Sequence, residues 1–172
     1  YHPLKVLFVG SMSQRKGLAD LFAAFRLLDK KNFQLTVLGA PSLSLSFYRS
    51  QFPHFTHLPP LPRRQVLATM RKHDVFALPS IVEGRALVQQ EALSCGLPIL
   101  VTPNAGGSDL VEKGNTGFIV PIRSPEAIAE KLTWFLKNRE RLNSIRTHCL
   151  AKSTEYSWNG YAKAIIDFGL RQ

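Results

Sequence analysis

Leu4-Lys5-Val6-Leu7-Phe8-Val9-Gly10, answered further along by Phe33-Gln34-Leu35-Thr36-Val37-Leu38-Gly39, is the stretch whose reading decides the fold. Each half is a nearly unbroken apolar run closed by a glycine, which suits a strand buried on both faces of a parallel sheet. Between them Leu18, Leu21, Phe22, Phe25 and Leu28 recur at three- and four-residue steps, so a helix with one apolar face is expected over about Gly17–Asp29. Strand, helix and strand in this order make a βαβ unit.

Outward from this unit the alternation continues. Short strands are expected at Phe55–Leu58, at Val75–Leu78 (stopped by Pro79), at Pro98–Val101 and at Gly117–Val120, with helices over Arg63–Lys72 and from about Ala86 to Ser94. Six strands interleaved with helices predict an α/β fold, a doubly wound parallel sheet. From Pro125 to about Leu170 the pattern gives two or three helices and no strand, and residues 1–172 read as a single domain. With 45% hydrophobic and 20% charged residues the chain can bury a real core. It has no run near the about 18 apolar residues of a membrane span and no signal-peptide pattern. The opening Tyr1-His2-Pro3, running directly into a strand, reads as a chain cut from a longer protein. Cys95 and Cys149 form no metal-ligand spacing and no disulfide framework, which favours a reduced, cytoplasmic setting.

The net charge of +10 is unevenly spread: residues 1–82 carry 11 Lys/Arg against 3 Asp/Glu, residues 83–172 carry 11 against 9. The first half therefore favours an anionic partner, whether a nucleoside diphosphate, a lipid headgroup or a nucleic acid, because charge steers without identifying. Ordinary solubility of a basic protein explains it as well.

In such sheets ligands bind beyond the carboxyl ends of the strands, where loops feed helix N-termini that favour anions. Three clusters sit there: Gly10–Gly17, Pro79–Glu91 and Thr102–Asp109. In the first, Arg15-Lys16 stand at a helix start, where a cation opposes the dipole; a bound phosphate or a solvated basic turn would explain them. Neither the Walker loop nor the three-glycine dinucleotide fingerprint is present, which argues against a dinucleotide oxidoreductase. In the second, Glu83 and Glu91 are separated by seven residues. If the helix begins near Arg85, Glu91 lies in its second turn between Leu87 and Cys95 on an apolar face. A carboxylate there needs donors, either ligand hydroxyls such as a ribose's or a neighbouring Lys or Arg. Glu83 precedes the helix, where an acid is favourable in any case.

Taken together, Phe8-Val9-Gly10 with Arg15-Lys16-Gly17, Asp74 through Ser80, Glu83-Gly84 through Glu91 to Cys95-Gly96-Leu97-Pro98, Gly106-Gly107, Gly114 through Pro121 and Tyr156-Ser157-Trp158 resemble the family-4 (group 1) retaining glycosyltransferases. Order and spacing match over essentially the whole chain. The resemblance covers the Rossmann-like C-terminal half of the family's GT-B fold, so the acceptor-binding N-terminal domain is expected to be absent.

The resemblance implies transfer of a hexose-type sugar from a nucleoside diphosphate sugar, with UDP or GDP as nucleotide, retention of configuration and no metal. Lys16 would contact the diphosphate, and Glu83 would face the transferred sugar; these two are the expected catalytic residues. Glu91 would read the ribose. Backbone N–H groups around Ala86, Leu87 and Val88 would cradle the phosphates, and Gly10, Ser11, Gly84, Gly106 and Gly107 would line the donor, although a tight turn also explains the glycine pair. His57–Leu61 would lie near the base.

Four positions depart from the family pattern. Ser11 stands where an Arg is usual, with Arg15 a candidate substitute. Arg85-Ala86 replace Phe-Gly, adding a cation beside the expected phosphate. Asp109 replaces Glu, and His57-Leu58 lacks a glycine. The acceptor, a glycan, lipid or small molecule, would be held by the missing domain, with peripheral association at the inner membrane face. The isolated chain is expected to bind nucleotide and turn over little or nothing. An exposed last helix, about Tyr156–Leu170 with Trp158, Ile165 and Phe168, would favour dimerisation. The alternatives are a nucleotide-responsive binding module and a polyanion-binding domain; nucleic acid is not the expected partner.

Overall fold

The computed structural model describes residues 2–156 together with residue 166. Strands β1 (Leu4–Val9), β2 (Phe33–Leu38), β3 (Phe55–Leu58), β4 (Val75–Leu78), β5 (Ile99–Val101) and β6 (Gly117–Ile119) form one sheet, ordered β3-β2-β1-β4-β5-β6 and parallel throughout. This is the doubly wound arrangement, and its strand order reverses between β1 and β4. The apolar runs explain the centre of the sheet. Leu4, Val6, Leu7 and Phe8 of β1 and all four residues of β4 have no exposed surface, each large side chain contributing about 1.5–3 kcal/mol on burial.

The helices are α1 (Leu18–Arg26), α2 (Leu45–Gln51), α3 (Arg63–Met70), α4 (Val88–Ser94), α5 (Pro125–Lys137) and α6 (Leu142–Thr154). The face expected for α1 is the one buried, with Leu21, Phe22 and Phe25 inward. Phe22 packs against Phe52 and Phe55 at centroid distances of 5.6 and 5.1 Å, closing the core beside the outer strands. At the other end, Phe118 of β6 meets Trp134 and Phe135 of α5 edge to face at 4.8 and 5.5 Å.

Two elements differ from the sequence reading. Helix α2 has no counterpart in it. This helix buries Tyr48 alone, too little to leave a periodic pattern, and is fixed by a Ser44 cap at 3.3 Å and by the Tyr48 hydroxyl donating to the Met12 carbonyl. Helix α4 begins at Val88, two residues later than expected, because the Ala86 carbonyl takes the Gln89 N–H at 3.0 Å in a tight three-residue turn, and the Gln89 side-chain amide at 3.3 Å. The helix expected over Tyr156–Leu170, with Trp158, Ile165 and Phe168, falls largely outside the described residues. Among the described residues no helix is long and apolar enough to cross a membrane.

Candidate functional site

The loops after β1 and β4 meet where the strand order reverses. Gly17 closes the first with a left-handed φ of 73°, and a Cβ there would stand 1.9 Å from the Pro79 carbonyl oxygen. Only glycine satisfies both the dihedral and the space. The Arg15 carbonyl accepts the Ile81 N–H at 2.9 Å and the Val82 N–H at 3.4 Å. The loops are thus joined backbone to backbone.

That junction brings three charged side chains together. A 3₁₀ turn over Gln14–Lys16 presents Arg15 and Lys16, and the Lys16 stem passes over Gly10. The Lys16 ammonium donates to Glu83 Oε2, and Arg15 Nη1 stands 3.6 Å from Glu83 Oε1. Lys16 and Glu83 side chains are each 14% exposed and Arg15 is 56% exposed, so the inner pair is largely removed from water while the outer cation is solvated. Among the described residues the Ser11 hydroxyl reaches only that of Ser13, at 3.3 Å. Gly84 faces open space.

Arg85 does not join this cluster. Its guanidinium turns to Asp109, Nη1 to Oδ1 at 3.2 Å and Nη2 to Oδ2 at 3.0 Å, with the Tyr156 ring 5.5 Å away. Burial pushes the Asp109 carboxyl up, but the hydrogen bonds and charge of Arg85, with Tyr156, outweigh it and hold the group below the usual carboxylate range.

Glu91 also departs from the sequence expectation. With α4 starting at Val88 it lies in the first turn, and the stripe from Leu87 to Cys95 is not the buried one, since Leu87 is 57% exposed. The buried face of α4 carries Gln89, Ala92 and Leu93. Glu91 is paired internally: Arg63 Nε donates to its Oε1 at 2.8 Å, and its Oε2 has no hydrogen-bond partner among the described residues. Of the three backbone amides expected to face a ligand, Ala86 is engaged by Ala105, while Leu87 and Val88 donate to no acceptor among the described residues.

The glycine pair is explained by packing within the chain. A Cβ on Gly106, at φ 69°, would stand 1.8 Å from the Gly84 carbonyl oxygen, and one on Gly107 would stand 2.2 Å from Gln89 Oε1. Gln89, fully buried, donates to the Ala105 carbonyl at 2.7 Å and the Ala86 carbonyl at 3.3 Å. Sequence reasoning passes over it, although a glutamine between Val88 and Ala92 on a short helix is a visible irregularity. Thr102 and Asn104 are missed too: they donate to the carbonyls of Ser80 at 2.5 Å and Ile81 at 2.7 Å, tying the β5 loop to the β4 loop. His57 Nε2 lies 3.0 Å from the Gly39 carbonyl oxygen, linking β3 to the turn after β2. Among the described residues no group of three or more His, Cys, Asp or Glu is arranged to hold a metal ion.

A family model described as glycosyl transferases group 1 matches residues 2–148. The D-inositol 3-phosphate glycosyltransferase of Nocardia farcinica is 31% identical over 176 residues, covering 94% of this chain and 39% of that protein. The capsular polysaccharide biosynthesis glycosyltransferase CapM of Staphylococcus aureus is 29% identical over 165 residues, covering 92% and 42%. The chain spans about two-fifths of the length of the curated relatives it matches. In structure it is similar to Anabaena Alr3699/HepE, solved in complex with UDP, with a TM-score of 0.86 at 18% identity over 99% of this chain and 50% of that one.

Proposed function

This chain belongs to the group 1 glycosyl transferases, and from that premise we propose that it binds a nucleoside diphosphate sugar where the loops after β1 and β4 meet, as the donor side of a retaining transfer of a hexose-type sugar. The observation that carries the reading is the convergence of Lys16, Arg15 and Glu83 at the reversal of strand order, the position at which open α/β sheets take their ligands.

In this reading Lys16 and Arg15 hold the diphosphate, helped by the Leu87 and Val88 amides. Glu83 addresses the sugar, and Glu91 uses Oε2 for the ribose while Arg63 holds Oε1. Negative charge grows on the diphosphate as the glycosidic bond breaks, and cations already in place stabilise it without reorganising. Arg15 takes the part of the arginine missing at position 11, since Arg85 is committed to Asp109. The acceptor and its positioning come from the rest of the parent enzyme, so the chain alone binds donor and turns over little.

Calorimetric titration with UDP, GDP, ADP and their glucose conjugates tests this. One nucleotide series is expected to bind, and Lys16→Ala is expected to abolish binding with the fold intact. Absence of binding throughout the panel, or binding that ignores Lys16 and tracks salt alone as for a polyanion binder, overturns it.

A further inference from the structure

Glu83 occupies the cations that the diphosphate needs. Its two oxygens face Lys16 and Arg15 separately, and each cation keeps further N–H donors, so a diphosphate reaching them either shares them with the Glu83 carboxylate or displaces it, and meets a like charge in both cases. The carboxylate has little room to withdraw. Ile81 and Val82 are hydrogen-bonded to the Arg15 carbonyl, Asn104 holds the Ile81 carbonyl, and Gly106 lies close against the Gly84 carbonyl, so the loop on both sides of Glu83 is tied down. Glu83 therefore stays beside a bound diphosphate as a like-charged neighbour competing for the same cations, an unfavourable arrangement at 14% side-chain exposure. Sugar hydroxyls remove that penalty by donating to the carboxylate. A bare nucleoside diphosphate has none to offer at this position.

We propose that Glu83 is the residue that makes the site distinguish an intact nucleotide sugar from the nucleoside diphosphate left after transfer: it competes with both for Lys16 and Arg15, and only the sugar conjugate gives it new partners. This rests on the donor-site reading above. It assigns Glu83 a second role beyond contact with the sugar, one that weakens retention of the product.

The test is calorimetric titration of this chain with UDP, GDP and their glucose conjugates, in the wild type, Glu83→Gln, Glu83→Ala and Lys16→Ala. Removing the competing charge is expected to tighten the bare diphosphate by roughly tenfold, the order of one charge-assisted hydrogen bond. The glucose conjugate, which loses a partner as it loses a competitor, is expected to tighten far less, so the preference for it over the diphosphate falls in both Glu83 variants. Glu83→Ala guards against a residual contact to Lys16 from the side-chain carbonyl that Glu83→Gln retains, and thermal melts report the fold of each variant. If the wild type binds the diphosphate through Lys16 but neither Glu83 variant binds it more tightly, this inference fails and the donor site stands. If the wild type binds none of the four ligands, the donor site fails and this inference with it.

Discussion

Arg85 meets Asp109 through two separate N–H···O contacts of 3.2 and 3.0 Å, a fork-on-carboxylate pairing that joins the loop after β4 to the segment after β5. With side chains 40% and 46% exposed, solvent screens the pair heavily. Arg85→Ala and Asp109→Asn are each expected to cost at most about 1 kcal/mol, less at high salt. The folded Asp109 is more acidic than in the unfolded chain, so this contribution is present above the ordinary carboxylate range and is lost as pH falls through the folded value. A double-mutant cycle by urea denaturation at two salt concentrations measures the coupling. Arg15→Ala is expected to weaken nucleotide binding more than Arg85→Ala does; the reverse order would move Arg85 into the phosphate site.

Gly17→Ala should be among the most damaging single-methyl additions in the chain. The new Cβ would stand 1.9 Å from the Pro79 carbonyl oxygen at a φ of 73°. A loss of about 3 kcal/mol, combining left-handed strain with overpacking, is expected from urea denaturation. Nucleotide binding should fall with it, because the same contact sets the spacing of the two loops.

Gln89→Met keeps the volume of a fully buried side chain and deletes its hydrogen bonds to Ala105 and Ala86. About 1 kcal/mol of stability is expected to be lost, the net worth of the deleted hydrogen bonds, because each carbonyl keeps a backbone donor, the Ala86 N–H at Ala105 and the Gln89 N–H at Ala86. Amide exchange at residues 105–107 should quicken more than exchange in β1.

Burial lowers the His73 imidazole below its ordinary value, despite its contact with the Thr69 carbonyl and the nearby Asp74. The unfolded chain therefore takes up the proton first as pH falls. The stability gained by keeping His73 neutral is present above about 6.5, the unperturbed value, and is lost as pH falls through the lower folded one. His73→Gln is expected to flatten the dependence of the urea midpoint on pH between about 5 and 7.

Both cysteines are buried, and burial pushes the Cys149 thiol up to about 12 and the Cys95 thiol up as well. Neither should react with a thiol reagent at neutral pH in the native protein, and both should react in denaturant. Rapid native labelling would mean that α6 or the end of α4 opens readily.

The strands and α1 are legible in the sequence because apolar runs and three-to-four spacing survive in any one-dimensional view. Helix α2 is not, since one buried tyrosine leaves no period to read. The late start of α4 is hidden for a different reason: the Ala86 carbonyl is taken by the N–H and side chain of Gln89, itself held by the Ala105 carbonyl distant in the chain, and no local pattern records it. The same limit separates the charged residues. Lys16 and Glu83 stand out individually, but their mutual contact depends on crossover connections bringing positions 67 apart together. Arg85 reads as a free cation because its partner, Asp109, is contributed by a later loop.

Joining the Arg15 carbonyl to Ile81 and Val82, and Gly17 to Pro79, has a practical consequence for redesign. The basic turn and the acidic loop behave as one rigid cassette with two points of entry from the sheet. Grafting either segment alone from a homologue would leave mismatched backbone at the seam, so exchange of nucleotide or sugar preference calls for transplanting both segments as a matched set.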